Sequence, residues 1–466
     1  MLKADASGQL TASFNGIAVE LGTFGVGTLR RAADLRFGML LASFASGRRK
    51  SDKEIDLLVR RLARHGLVEY RLQGSRKNDE DQVVVEPQVA DYWPQTPKLG
   101  NAEVLVLSRF AYIRRRGNEM VLESPRAGAL FKISNPKIAA AIATLSKPRQ
   151  IKWLRKQDGF PGVELLALLA DCQILFKTNA ASNSGLRPAE GDQNLVLWDF
   201  HDLLFHARST EGRHANPLGG IGLYAGIVHP LPAVRPCWPG KKISLGEFSA
   251  ASSQAISPFA RLMHERHSSR SFDNLRPVTL PELSRFLENT ARVLSSWNSS
   301  VEFGDGSPSV GYTVRPYPSA GASYELELYL TVDRCEGLAR GFYHYDAGGH
   351  ALMPISTRAQ EFEALLMAAQ FAMDAPAAPQ VLITIAARFG RVSWKYSSLA
   401  YALILKDVGV LTQTLYLMAT DMGLVGCAIG KTNIDLFAKM TGIEFHVEGP
   451  VGQFALGRGS RSATSG

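Results

Sequence analysis

Cysteine is scarce in this chain: four residues in 466 (Cys172, Cys237, Cys335 and Cys427), far apart and never in C-x-x-C spacing. That excludes a disulfide framework and a zinc knuckle. An export signal is also lacking, because the opening MLKADASGQL has no basic-then-apolar pattern. The most apolar late stretch, Leu399 to Ile429, contains Lys406, Asp407 and Asp421, so no uninterrupted bilayer-length helix is expected. Two late glycine runs, Gly423–Gly430 and Phe454–Gly459, have neither G-x-G-x-x-G spacing nor the Lys-Ser/Thr of a P-loop. A Rossmann dehydrogenase and an ATPase are therefore disfavoured. What is present is ordinary globular composition, 45% hydrophobic and 20% charged, which excludes disordered, collagenous and coiled-coil chains. The expectation is a soluble cytoplasmic protein of about three folding units.

The net charge of +9 is unevenly placed. Residues 1–180 carry 28 Lys+Arg against 18 Asp+Glu, and the remainder carries 24 against 25. A basic front on a neutral body suggests a polyanionic or acidic partner, the bland alternative being a solvated basic surface.

Within that front, Ser51-Asp52-Lys53-Glu54 has the form of a helix-opening capping box. Ile55, Leu58, Val59 and Leu62 follow on one helical face, Gly66 stops it, and Leu67–Leu72 alternates as a strand. The spacing recurs: Leu165, Leu166, Leu169, Ala170, Ile174 and Leu175 match Leu58, Val59, Leu62, Ala63, Leu67 and Val68. Ahead of the second copy, Glu103–Arg114 and Glu119–Glu123 read as strands around a Gly117-Asn118 turn, and Asn135-Pro136 opens a helix. Two winged-helix-like units are expected, over 1–98 and 99–178. Such units bind DNA, or bind peptides by adding a strand at a sheet edge. Residues 179–194 read as a linker, and 195–466 as a third domain. His201 and His206 are five apart, so they share no helical face as a metal pair would.

Four later segments carry chemistry. Glu265–Phe272 (ERHSSRSF) gathers two guanidiniums, an imidazole and hydroxyls that suit a phosphate, the bland reading being a solvated basic loop. Arg315–Tyr324 (RPYPSAGASY) is a Pro-broken turn of small residues before the strand Glu325–Val332, able to approach a flat ligand closely or simply a tight turn. Arg391–Tyr396 (RVSWKY) sets Lys395 and Tyr396 side by side before a long apolar helix. They are candidates for paired proton transfer if burial lowers the lysine pKa, or a helix-start lysine beside a core tyrosine. The fourth is the Gly-punctuated strand Gly423–Gly430, matched by Phe454–Gly459.

Together and in this order, RHSSRSFD, RPYPSAGASYELELY, KYSSLAYAL and DVGVLTQTLYLMATDMGLVGCAIG resemble the nitroreductase-like flavoproteins. Among these they are most similar to the SagB/ThcOx-type azoline dehydrogenases of thiazole/oxazole-modified peptide biosynthesis. FHDLLFHARS and LSRFAYIRRRGNEMVLESP look like that group's longer members, the cyanobactin oxidases. The resemblance implies an α+β fold: a dimeric C-terminal FMN domain, a central sheet flanked by helices, behind the two winged-helix-like peptide-binding units. It implies FMN contacts at Arg266, His267, Ser268 and Arg270, a flavin-facing turn at Pro318, Ser319 and Gly321, a backbone position at Gly430 near the reactive edge, and a phosphate contact at Arg458. It assigns catalysis to Lys395 and Tyr396. The chain departs from the group's pattern at Ala402, where Arg usually follows Tyr401, and at Val410, where His usually follows Gly409.

The implied reaction is removal of a proton and a hydride from a thiazoline or oxazoline ring, with Lys395 as base, Tyr396 as relay, Arg266 as a balancing cation and oxygen as final acceptor. The winged units would grip the leader of a precursor peptide, with cyclodehydratase subunits as further partners. Alternative readings are a generic NAD(P)H-dependent nitroreductase, a DNA-binding redox regulator, and a non-catalytic scaffold of a heterocycle synthetase.

Overall fold

The computed structural model describes residues 2–14, 17–45, 47–72, 82–89, 92–178, 190–211, 213, 224–245, 257–300 and 308–460. It divides into two compact units, Met1–Asn216 and Pro217–Gly466. Of the expected 179–194 linker, residues 179–189 lie outside the described residues, while Glu190 accepts from Ser108 Oγ at 2.7 Å within the first unit.

In the first unit, β1 (Leu2–Ala4), β2 (Gln9–Phe14) and β3 (Ile17–Thr23) form an antiparallel sheet beside α1 (Val26–Ala32) and α2 (Lys50–Arg64). The face read from the spacing is the one α2 buries: Ile55, Leu58, Val59 and Leu62 pack on Leu10, Leu21 and Phe24. The expected capping box does not form. Glu54 instead accepts from Gly25 N at 3.1 Å and from Thr28 Oγ1 at 2.5 Å, because the unpaired amides opening α1 compete for the same carboxylate.

The expected strand Leu67–Leu72 is ordered as β4 only from Tyr70 to Leu72 and is followed by β5 (Val83–Pro87). The single strand expected over 103–114 is two. These are β6 (Val104–Leu107) and β7 (Tyr112–Arg116), separated by a turn at Ser108–Ala111 in which Phe110 is buried. The β7–β8 hairpin turns at Gly117-Asn118 as expected, β8 being Glu119–Glu123, and β9 (Ala129–Ile133) follows. Helix α3 (Pro136–Ala143) opens with the Asn135 side chain accepting from Lys137 N at 2.9 Å. After it come β10 (Arg149–Gln150), α4 (Ile151–Leu154), α5 (Val163–Asp171), β11 (Leu175–Thr178) and α6 (Phe200–Ser209). β6 pairs with β10 and β11, whereas the larger sheet has the order β4-β5-β9-β8-β7.

That order revises the expected 98/99 division, since one sheet takes strands from both sides of it. Val83 and Val85 share a core with Leu122, Phe131 and Leu166. The expected domain start at 195 also moves. Arg109 donates to Leu195 O at 2.5 Å and Trp198 O at 2.9 Å, and Arg208 pairs with buried Glu123 at 2.7 Å, so residues 195–209 belong to the first unit.

The second unit comprises α7 (Pro258–Glu265), β12 (Val278–Thr279), α8 (Leu280–Ala291), a hairpin of β13 (Ser295–Ser300) and β14 (Ser309–Val314), β15 (Leu326–Val332), β16 (Cys335–Glu336), β17 (Gly341–Asp346) and β18 (Ala351–Ile355). It continues with α9 (Ala359–Met373), β19 (Val381–Arg388), α10 (Gly390–Ser393), α11 (Ala400–Asp421), β20 (Val425–Ile429), α12 (Ile434–Thr441) and β21 (Glu448–Gly457). Six strands form an antiparallel sheet ordered β18-β17-β15-β19-β21-β20. Central β19 (VLITIAAR) is apolar without alternation because helices cover both faces, and all but its last residue are buried. Lys406 and Asp407 do not interrupt α11 as expected. By length and composition this 22-residue helix could span a bilayer. It packs instead on β15, β20, β21 and α8, with Asp407 buried.

Candidate functional site

Beyond α7, residues 266–273 run as an extra extended segment along the late glycine strands. Ser268 bridges to Gly426, Ser269 N donates to Gly426 O at 2.9 Å, Phe272 bridges to Gly459, and Asp273 N donates to Arg458 O at 2.8 Å. The glycines permit this approach: a Cβ on Gly457 would stand 2.5 Å from the Phe272 ring. Ser268 Oγ lies 2.8 Å from the Tyr416 hydroxyl, which also accepts from Ala428 N at 2.7 Å. The Arg266 guanidinium lies over the Tyr416 ring at 5.3 Å, and His267 Nδ1 lies 3.0 Å from Glu265 O. Neither Arg266 nor exposed Arg270 meets a carboxylate among the described residues, which leaves two cations for an anionic ligand.

Arg458, expected at a phosphate, is engaged within the ligand-free chain. Its guanidinium meets Glu282, with Nη2 at 2.7 Å from both carboxylate oxygens. Burial opposes the Glu282 charge, but hydrogen bonds from Arg458 and Thr279 outweigh it and hold the carboxyl below its usual range.

The second set forms around the Pro318–Ala322 turn, with Pro318 exposed at its start. Ser319 Oγ lies 2.9 Å from Asp407 Oδ2 and 3.2 Å from Glu325 Oε2, while Ala320 N donates to Asp407 Oδ2 at 2.8 Å. Gly321 has φ 58°, and a Cβ there would stand 2.4 Å from Tyr396 Oη and 2.7 Å from Lys395 Nζ. Lys395 donates to Gly321 O at 3.2 Å, its ammonium 5.6 Å from the Tyr396 ring centre and 5.8 Å from that of Tyr312. The PSAG turn and the Lys-Tyr pair therefore meet at one glycine. The expected burial of Lys395 is not found, because in the single chain it is exposed.

Glu325, Asp407 and Tyr416 escaped the sequence reading. Glu325 and Asp407 are buried together under the turn. Burial, then the neighbouring Asp407 charge, pushes the Glu325 carboxyl up to about 7 from an ordinary 4.5. The folded chain then binds more protons than the unfolded chain between those values, so this group's stabilisation is present at low pH and is lost as pH rises toward 7. Glu325→Gln is expected to flatten the fall in melting temperature between about pH 4.5 and 7, read by thermal scans. An unchanged slope would contradict the assignment.

The two sets are held by opposite sides of α11. Asp407 and Tyr416 are nine residues apart, which is about half a turn around the axis and about 14 Å along it. The chain thus brings Ser319, Gly321, Lys395 and Tyr396 together, and separately Arg266, His267, Ser268 and Arg270, without joining the two groups. Gly430, four residues beyond Gly426, follows β20. It is exposed, with no atom within 4 Å of a built Cβ.

A protein-family model of the nitroreductase family matches residues 263–458, and one of the cyanobactin oxidase ThcOx matches 105–215. MJ1384 of Methanocaldococcus jannaschii, a protein assigned as a nitroreductase, is 33% identical over 154 residues, 33% of this chain and 69% of that protein. Among solved structures, the Escherichia coli microcin synthetase McbBCD complex with truncated pro-MccB17 bound is similar at 20% identity and TM-score 0.40, covering 60% of this chain and 100% of that one. A nitroreductase-type protein of Exiguobacterium sibiricum in complex with FMN gives 14%, TM-score 0.30, and coverages of 46% and 93%.

The chain belongs to the nitroreductase family. It is an oxidoreductase of that flavoprotein family, and a segment in front of the family domain is similar to the cyanobactin oxidase ThcOx.

Proposed function

We propose that the chain is an FMN-dependent azoline dehydrogenase that converts peptide thiazolines or oxazolines to thiazoles or oxazoles, with oxygen as final acceptor. The observation that carries this reading is the closure of Lys395 and Tyr396 on Gly321. The residues fit the cofactor: Arg266 and Arg270 offer unspent cations for its phosphate, Ser268 and Tyr416 offer hydroxyls, and Gly430 offers open backbone. When bound, FMN accepts the hydride. The rest falls to the protein. Lys395 takes the proton from the ring carbon, and Tyr396 hydrogen-bonds beside it. The turn at Gly321 holds both side chains against the place where a flat group stacks.

Because the two residue sets sit on opposite sides of α11, a second copy of the chain completes each site, so the working form is a homodimer. Mixing the holoenzyme with an azoline peptide without oxygen should bleach the flavin absorbance, while NADPH should leave it unchanged. Bleaching by NADPH alone would favour the generic nitroreductase instead.

For the first unit we propose leader-peptide binding. β7 is an edge strand of its five-stranded sheet and carries Arg114, Arg115 and Arg116, with Ile113 exposed. An extended acidic segment can add to such an edge, as winged-helix-like peptide readers do. A cyclodehydratase partner would supply the azoline. A substrate lacking its leader should be processed about tenfold or more less efficiently, by peptide mass analysis; equal processing would remove this role.

A further inference from the structure

Beside Lys395 lies a cleft of about 360 Å³ that the reading above does not use. One wall is the β13–β14 hairpin, where Trp297 and Tyr312 stack with ring centres 5.5 Å apart. The other wall is cationic, built from Arg315, Arg388 and Arg391.

These guanidiniums are poorly answered. Arg391 spends its donors on the carbonyls of Ser323 and Gly311, at 3.0–3.1 Å. Burial, then the proximity of Arg388 and Arg315, pushes its pKa down against the opposing pull of Glu325. Arg315 donates Nη1 to Leu326 O at 3.0 Å, but its buried Nε has no partner among the described residues. Among the described residues, Arg388 alone of the three reaches a carboxylate, Glu327 at 3.6 Å. A half-buried cation cluster without matching carboxylates is unfavourable until an anion enters, and a carboxylate can then be held by charge-assisted, bidentate hydrogen bonds.

The FMN phosphate does not account for this cluster. Arg266 and Arg270 already offer it two free cations, and they stand with the Tyr416 side of α11 rather than the Asp407 side. We infer that the cleft is the receptor for a carboxylate of the peptide, carried within one to three residues of the ring under oxidation. The span follows because Tyr312 both lines the cleft and faces the Lys395 ammonium, while an extended peptide advances about 3.3 Å per residue. This rests on the azoline-dehydrogenase reading and deepens it by naming the substrate class: azoline peptides with an acidic side chain, or the chain's own terminal carboxylate, next to the ring.

The test pairs azoline peptides that differ only in Glu against Gln after the ring, or in a free against an amidated C-terminus. These two arms separate the sources of the carboxylate. The wild-type holoenzyme should favour one acid-bearing member by about tenfold or more, mainly through KM. Arg388→Gln should bring that ratio close to unity, and Arg388→Glu should reverse it toward a Lys-bearing peptide, with bound flavin checked by absorbance in each variant. Equal use of both pairs by the wild type, or a ratio that survives Arg388→Gln combined with Arg315→Gln, overturns the inference. So does loss of FMN from Arg388→Gln, which would give the cleft to the cofactor.

If no azoline peptide is oxidised at all, the broader reading fails, and the cleft is tested apart from it. N-acetylglutamate, and not N-acetylglutamine, should change the tryptophan fluorescence of the holoenzyme, and that response should vanish in Trp297→Phe and in Arg388→Gln. No response sinks the cleft as well.

Discussion

Lys395→Ala is expected to lose azole formation by about 10²–10⁴-fold while retaining bound flavin, the range seen when a positioned general base is removed. Lys395 Nζ donates to Gly321 O and lies near the Tyr312 and Tyr396 rings, contacts that position the amine, which acts as base in its neutral form, without supporting the core. Lys395 is exposed in the single chain, so its removal leaves no buried hole. Gly321→Ala should lose most of the same activity with Lys395 intact, since its Cβ would overlap Tyr396 Oη and Lys395 Nζ and its φ of 58° disfavours any side chain. Single-turnover kinetics on an azoline peptide would check both. Full turnover by Lys395→Ala would show that another group takes the proton.

The second large effect is on the cofactor. Arg266→Ala combined with Arg270→Ala is expected to weaken FMN binding by on the order of a hundredfold or more, because two charge-assisted contacts to one phosphate are lost. Arg458→Ala should act differently. Its partner is Glu282, which also caps α8, so the expected result is a lower melting temperature rather than a direct loss of phosphate contact. Flavin titration with thermal scans separates the two. A larger loss of flavin from Arg458→Ala than from the double variant would restore the phosphate role first expected of it.

The positions of these residues were legible in the sequence; their partners were not. Spacing alone located the buried face of α2, the Gly117-Asn118 hairpin and the Asn135 cap, because each depends on residues within a turn or two of chain. Motif order drew out the ERHSSRSF segment, whose Arg266 and Arg270 meet no carboxylate among the described residues, and the Lys-Tyr pair that closes on Gly321. What failed depends on contacts between distant segments. Glu54 left its expected capping box for the Gly25 amide 29 residues earlier and the Thr28 hydroxyl. Arg458 found a carboxylate 176 residues away. The division at 98/99 dissolved because β5 pairs with β9 across it. Asp407, which reads as an interruption of an apolar helix, proves to be the group that fastens that helix to the Ser319–Ala320 turn.

Ala402 and Val410 depart from the group's pattern on α11, whose residues 402 and 409 are exposed while 401, 404, 407 and 411 are buried. Ala402 therefore changes an open face of the helix rather than the core. Nothing in the single chain explains the choice of valine at 410.

The most direct measurement is the mass of an azoline-bearing peptide before and after incubation with the FMN-loaded protein in air. Loss of two hydrogens for each ring, with none from Lys395→Ala, is the predicted result. An unchanged mass from a yellow, dimeric preparation would contradict it.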